Sequence, residues 1–208
     1  MPSDRADRLF QRWQDCFRAL SLDPPAAAYA ALVERYSEPQ RAYHNLQHIA
    51  DCFDRLDELA DAGSTAAIGL ALFFHDVIYD PYAKDNEARS AAWAEDVLSE
   101  AGATREMRET VTALILATRH DEAPTGHAAQ IIVDIDLSIL GAERARFDAY
   151  ERQIREEYAG VPEAVFRLGR AAILRKFLER PSIFSTEHFR SRYENRAREN
   201  LARSLKDQ

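Results

Sequence analysis

The 208-residue chain is 46% hydrophobic with only 7 glycines, and no Gly/Ser-rich or Pro-rich linker divides it, so one domain over 1–208 with a substantial core is expected. A net charge of −8 argues against general nucleic-acid binding, which relies on lysine and arginine facing phosphates. Two cysteines, Cys16 and Cys52, make no disulfide framework, and the longest apolar stretch, Ile68 to Phe74, falls far short of the ~20 residues of a membrane span.

A first helix is predicted from Ser3 or Asp4 to about Leu20, with Leu9, Phe10, Trp13, Phe17 and Leu20 on one stripe. The opening MPSDRADRLFQRW lacks the apolar core of a signal peptide, which makes the cytoplasm the expected location. Asp23 before Pro24 and Pro25 signals the cap and first turn of a second helix, ending near Tyr36. A third runs from Asn45 to about Ala62 with Leu46, Ile49, Phe53, Leu56 and Leu59 inward, and Gly63 ends it. Ser64 caps a fourth that reaches about Tyr79, followed by a loop around Asp80-Pro81-Tyr82. Further helices cover about 85–101, 104–118, 127–139, 143–158, 162–179 and 186–205, with breaks at Gly102, Gly126, Gly141, Gly160, Pro162 and Pro181. The β-branched run Ile131-Ile132-Val133 suits a strand as well as a helix. No second strand is evident to pair with it, so the predicted fold class is all-α.

Polar residues interrupt apolar runs at three places. Ile68 to Phe74 is apolar on nearly every face, the mark of a buried helix, and it leads straight into His75 and Asp76. Asp134 and Asp136 break IIVDIDLSIL, and His44 and His48 stand four apart in YHNLQHIADCF. A buried carboxylate costs several kcal/mol unless it is paired, hydrogen-bonded or on a metal. Taken singly, each residue also suits a cap or a hydrogen-bonded core position. Together, imidazoles and carboxylates are the donor set of divalent transition metals. One geometric difficulty stands: neighbours on a helix point about 100° apart, so His75 and Asp76 reach one ion only near a helix end.

The ordered set HNLQH (44–48), FFHD (73–76) and DIDL (134–137) resembles the HD superfamily of metal-dependent phosphohydrolases. HNLQH is also similar to the HNxxH of cyclic-nucleotide phosphodiesterases. YHNxxH, FHDxxY, NExxS and DxDLxxLG, here Tyr43–His48, Phe74–Tyr79, Asn86–Ser90 and Asp134–Gly141, resemble a group of small bacterial HD proteins, as does ENRARENL (194–201). The resemblance covers most of the chain. It implies an HD-type helical bundle with its metal-site core at about 40–140 and C-terminal helices at about 142–208 packed on it. It implies hydrolysis of a phosphate ester or anhydride, with a nucleotide or other small phosphorylated metabolite as substrate and one or two divalent ions (Mn, Fe, Co, Ni, Zn or Mg).

Residue by residue, the resemblance implies His48, His75, Asp76 and Asp136 as metal ligands, with Asp134 in support. On a helix Asp134 points away from Asp136. Asp76 also holds or bridges the attacking water. His44 matches the histidine that protonates the leaving group, with a capping or supporting role as the alternative. Glu87 matches an acidic residue near a second ion or its water, and is equally suited to a surface helix. The HH dipeptide of the longer ligand set is missing, which argues against a trinuclear site.

Residues 1–141 carry 12 basic and 24 acidic residues, and 142–208 carry 15 and 11. The acidic part suits hard cations and the basic part a phosphorylated substrate, or both are solvated helix faces. Lys84, Arg119, Arg155 and Arg170 are candidate phosphate clamps or else ordinary surface charge. His120 closes a helix and either lines the site or complements the helix dipole. His127 and His188 read as structural or exposed. Two other functions would use the same residues: a di-iron oxygenase of the HD type, and a non-catalytic module that binds a nucleotide as a sensor. The basic C-terminal helices also suit a homodimer face.

Overall fold

A computed structural model of the chain describes residues 2–59 and 65–207. Among these the regular secondary structure is all helix, with no strand. The helices are α1 Pro2–Ala19, α2 Ala26–Tyr36, α3 Leu46–Leu56, α4 Thr65–Phe74, α5 Asn86–Glu100, α6 Arg105–Ala117, α7 His127–Leu137, α8 Arg144–Glu157, α9 Glu163–Glu179 and α10 Glu187–Asp207, with a 3-10 turn at Ser138–Gly141. The all-α expectation holds, and the segment of doubtful type, Ile131 to Val133, is buried in α7. No helix among the described residues is long and apolar enough to cross a membrane.

The bundle is organised around α4. A helix apolar on every side has no face for water, and Ala67 to Phe74 are all buried. α1, α3, α5, α6 and α7 pack against it. Gly69 allows the close approach of α1: a Cβ there would lie 2.6 Å from Cys16 Sγ. Trp13 and Phe17 of α1 are fully buried, and Trp13 packs edge-on to Phe73 with centroids 5.3 Å apart. Phe10, placed on the same stripe by periodicity, is instead 39% exposed and rests on Tyr29 of α2.

Several boundaries differ from expectation. α2 begins after Pro25 and not at the Asp23 cap, because a residue before proline is driven out of the helical region and Pro24 precedes Pro25. α3 begins at Leu46, where the Asn45 side chain caps it by accepting from Gln47 N at 2.8 Å, so His44 lies before the helix. It ends at Leu56, six residues before the expected Ala62. The expected break and cap at Gly63 and Ser64 lie outside the described residues. α4 stops at Phe74, five residues before Tyr79.

The C-terminal helices are fastened through buried polar groups. Asp134, fully buried, turns away from Asp136 and accepts from Ser185 N (2.8 Å), Thr186 N (2.7 Å) and Thr186 Oγ1 (2.7 Å), just before α10. In place of the supporting role at the metal site that the resemblance implied, Asp134 caps the start of α10. Asp134→Ala leaves two backbone donors without an acceptor. It should destabilise the fold by about 2 to 3 kcal/mol in a urea melt, with metal content unchanged. A stability within error of wild type contradicts the capping role.

Candidate metal centre

Three elements meet at one end of α4. His75 and Asp76 follow its last residue in a turn, which removes the geometric difficulty of two neighbours on one helix: the chain has left the helix where the pair must converge. The turn is held by its backbone. Tyr36 Oη donates to Phe73 O at 3.0 Å and accepts from Asp76 N at 3.3 Å. The buried Arg41 donates to Asp76 O at 2.6 Å, Val77 O at 2.9 Å and His44 O at 3.3 Å. Beyond the turn, Asn86 brackets Asp80 through both side-chain groups (3.1 and 2.8 Å), and Ser90 Oγ accepts from Ile78 N at 3.1 Å.

His48 from α3 and Asp136 from α7 complete the group. One donor atom from each of His48, His75, Asp76 and Asp136 lies within 4.8 Å of the others. His48 Nε2 is 3.1 Å from His75 Nε2, 3.4 Å from Asp76 Oδ2 and 3.3 Å from Asp136 Oδ1. His75 Nε2 is 3.0 Å from Asp76 Oδ2 and 3.6 Å from Asp136 Oδ1. Donors about 2.1 Å from a shared ion stand about 3.0 Å apart at neighbouring octahedral positions and about 3.4 Å apart at tetrahedral ones. The cluster already has that spacing.

The proton inventory fits as well. His75 Nδ1 is 2.8 Å from Leu72 O, which fixes a proton there and turns Nε2 to the cluster, a donor to the carboxylates without an ion and a lone pair once a cation replaces its proton. Lone pairs and carboxylate oxygens thus converge in a buried place, and a cation satisfies all of them at once. Burial opposes charge on Asp76, but the His75 and His44 rings outweigh it and hold its carboxyl well below the usual carboxylate range. Burial likewise opposes charge on Asp136, where hydrogen bonds from His120, His48 and His75 prevail. A cation entering displaces the protons shared between these groups, so uptake weakens in acid. The His48 and His75 side chains are 3% and 1% exposed and form the floor, while Asp76 and Asp136 keep 17% and 16% and face the opening.

His44 stands beside this opening. Its Nδ1 is 2.6 Å from Glu157 Oε2, its ring stacks on Tyr79 with centroids 4.1 Å apart, and its Nε2 is left for exchange. Glu157, at the end of α8, gathers the segment: Oε1 accepts from Tyr43 N (2.7 Å) and His44 N (2.9 Å), and Oε2 also accepts from Tyr79 Oη (2.9 Å). Nothing in the polar run QIREEY marked Glu157 for this position. Arg41 was missed too, though its place two residues before Tyr43-His44 was a signal of proximity.

His120 was expected to line the site or to complement a helix dipole. It bonds through Nε2 to Asp136 Oδ2 at 2.9 Å, leaving Oδ1 for the cluster. Its backbone is left-handed (φ 58°), its carbonyl accepts from Arg180 at 3.0 Å, and its Nδ1 is buried without a partner. A non-glycine residue held there by its neighbours is a strained position that the fold enforces. His120→Ala should weaken metal affinity by about 10- to 100-fold, as loss of a ligand's outer partner does. Affinity measured by competition with a chromophoric chelator checks this, and an unchanged value contradicts it.

The remaining nominated residues are not brought to the cluster. Glu87 lies in the first turn of α5, outside the four-donor set. Lys84 is exposed, and Arg119 pairs with Asp121 at 3.1 Å. Arg155 spends its donors on Glu163, Tyr158 O and Val161 O, which closes the turn between α8 and α9. Arg170 is buried against Glu151 and the Tyr150 ring. His127 is exposed, and His188 sits 3.5 Å from Glu58. Comparison with models of protein families, with curated proteins and with solved structures returns no match for the chain.

Proposed function

We propose that this chain is a metal-dependent phosphohydrolase of the HD superfamily, acting on a phosphate ester or anhydride of a small metabolite. The observation that carries the reading is the convergence of His48, His75, Asp76 and Asp136, in the order His, His-Asp, Asp, at the spacing of donors around one ion. A divalent ion in that place supplies Lewis acidity, acidifying water and polarising the phosphoryl group. Asp76 and Asp136, the partly exposed members of the set, leave room on one side for water and substrate. With Oδ2 of Asp76 in the donor set, its second carboxylate oxygen is the one to hold the attacking water. His44, aimed by Glu157 and Tyr79, delivers a proton from Nε2 to the departing oxygen. The Glu157 carboxylate balances the ring charge during that exchange, as the buried acid of a catalytic His–Asp pair does.

The test is a phosphatase and nucleotide screen with Mn, Co, Ni, Mg and Fe supplied in turn, run beside a measurement of oxygen consumption. Phosphate release that depends on the added metal supports the reading. Oxygen uptake with iron and no phosphate release assigns the same ligands to an oxygenase. Nucleotide binding without either activity makes the chain a sensor module.

A further inference from the structure

Next to the centre lies a cavity of about 320 Å³, within the size range of small-molecule sites. His48 and Asp136 form part of its wall, and three guanidinium groups line it from three helices: Arg55 of α3, Arg146 of α8 and Arg196 of α10. These differ from the arginines that the fold consumes. Arg41 and Arg170 side chains are 1% and 9% exposed, whereas Arg55, Arg146 and Arg196 keep 34%, 33% and 42%.

Each of the three is tethered on one edge. Arg55 Nη1 holds Glu58 and Tyr193 Oη, Arg146 reaches Asp51 at 3.2 Å and Gln153 at 3.3 Å, and Arg196 Nε donates to Gly141 O at 2.9 Å while Nη1 holds Glu143. A guanidinium has five N–H donors, so every tether leaves donors over. Tethering also removes side-chain freedom that binding would otherwise cost. The tethering acids Glu58, Asp51 and Glu143 match the three arginines in charge, and a divalent cation at the centre would match Asp76 and Asp136, so an incoming anion meets the spare guanidinium donors with no acid left uncompensated.

We propose that this cavity is a second anion subsite, which selects small substrates carrying two anionic groups: one at the four-donor centre, the other among Arg55, Arg146 and Arg196. The first half rests on the functional reading above; the arginine subsite rests on the cavity alone.

The test uses methylenediphosphonate, whose P–C–P link resists hydrolysis, and orthophosphate as the single-group control. Both are titrated by calorimetry into metal-loaded and metal-free wild type, R146Q and R196Q, with metal content measured on every sample. Metal-loaded wild type should bind methylenediphosphonate more tightly than orthophosphate. Each variant should weaken the diphosphonate by about tenfold while keeping its metal and its orthophosphate affinity. Equal diphosphonate affinity in wild type and variants overturns the subsite, and so does its failure to bind loaded wild type. A protein that takes up no metal fails the functional reading instead. The subsite is then judged on the metal-free arm, where the same weakening in the variants supports it and its absence overturns it.

Discussion

Changing His75 to alanine is expected to remove bound metal and turnover together, a loss well beyond the roughly 10- to 100-fold that follows from an outer partner such as His120. His75 supplies one of only two nitrogen donors, and it is the one whose free lone pair is fixed by Leu72 O. Deleting it leaves Asp76 and Asp136 facing each other across a gap with less to neutralise them. Asp76→Asn separates this loss from misfolding. Asp76 is anchored through its backbone N–H to Tyr36 and its carbonyl to Arg41, so the amide variant keeps the turn and loses the charge. Both variants should show wild-type helical circular dichroism with metal and activity gone. Full metal content in either one contradicts the ligand assignment.

Glu157→Ala should cost about 3 to 5 kcal/mol of folding stability, the range for removing one member of a buried ionic group. Its side chain is fully buried, and its loss strands two backbone donors, the Tyr79 hydroxyl and the His44 ring. Glu157→Gln retains an acceptor for the backbone donors and should cost less, while lowering kcat through the misplaced His44 with metal content intact. The pH dependence follows from the direction of its shift. Burial works against the charge on Glu157, but the hydrogen bonds and charge of His44 outweigh it and hold the carboxyl below its usual 4.5. The stability it adds is therefore complete above about pH 4.5 and is lost as the pH falls through the lower folded value. Urea melts from pH 6 down to pH 3 should show a shallower acid limb for Glu157→Gln than for wild type. Parallel limbs contradict this role.

The fold class and most of the ligand set were legible because burial leaves a mark in composition. A helix apolar on every side, like α4, must sit in the core, and polar residues directly after it need a reason to be there. The resemblance marked Asp136, the second Asp of DIDL, and helix geometry implied only that Asp134 points elsewhere; the structure sends Asp134 to α10 and Asp136 to the cluster. What the sequence did not reveal is set by long-range packing. Glu157 meets His44 across 113 positions, and His120 meets Asp136 through a left-handed backbone that is uncommon outside glycine. The arginines nominated from the sequence did not include those that line the cavity, for a related reason. Charge alone does not say whether a guanidinium ends in the fold, as Arg155 and Arg170 do, or beside a cavity, as Arg146 does.

The central claim is that four side chains form a centre for a divalent ion, and metal analysis of protein purified without chelator tests it most directly. About one equivalent of a divalent transition metal should be bound to wild type, and none to His75→Ala or Asp76→Asn. Wild-type protein that stays metal-free with Mn, Fe, Co, Ni and Zn each supplied, or variants that retain a full equivalent, would contradict it.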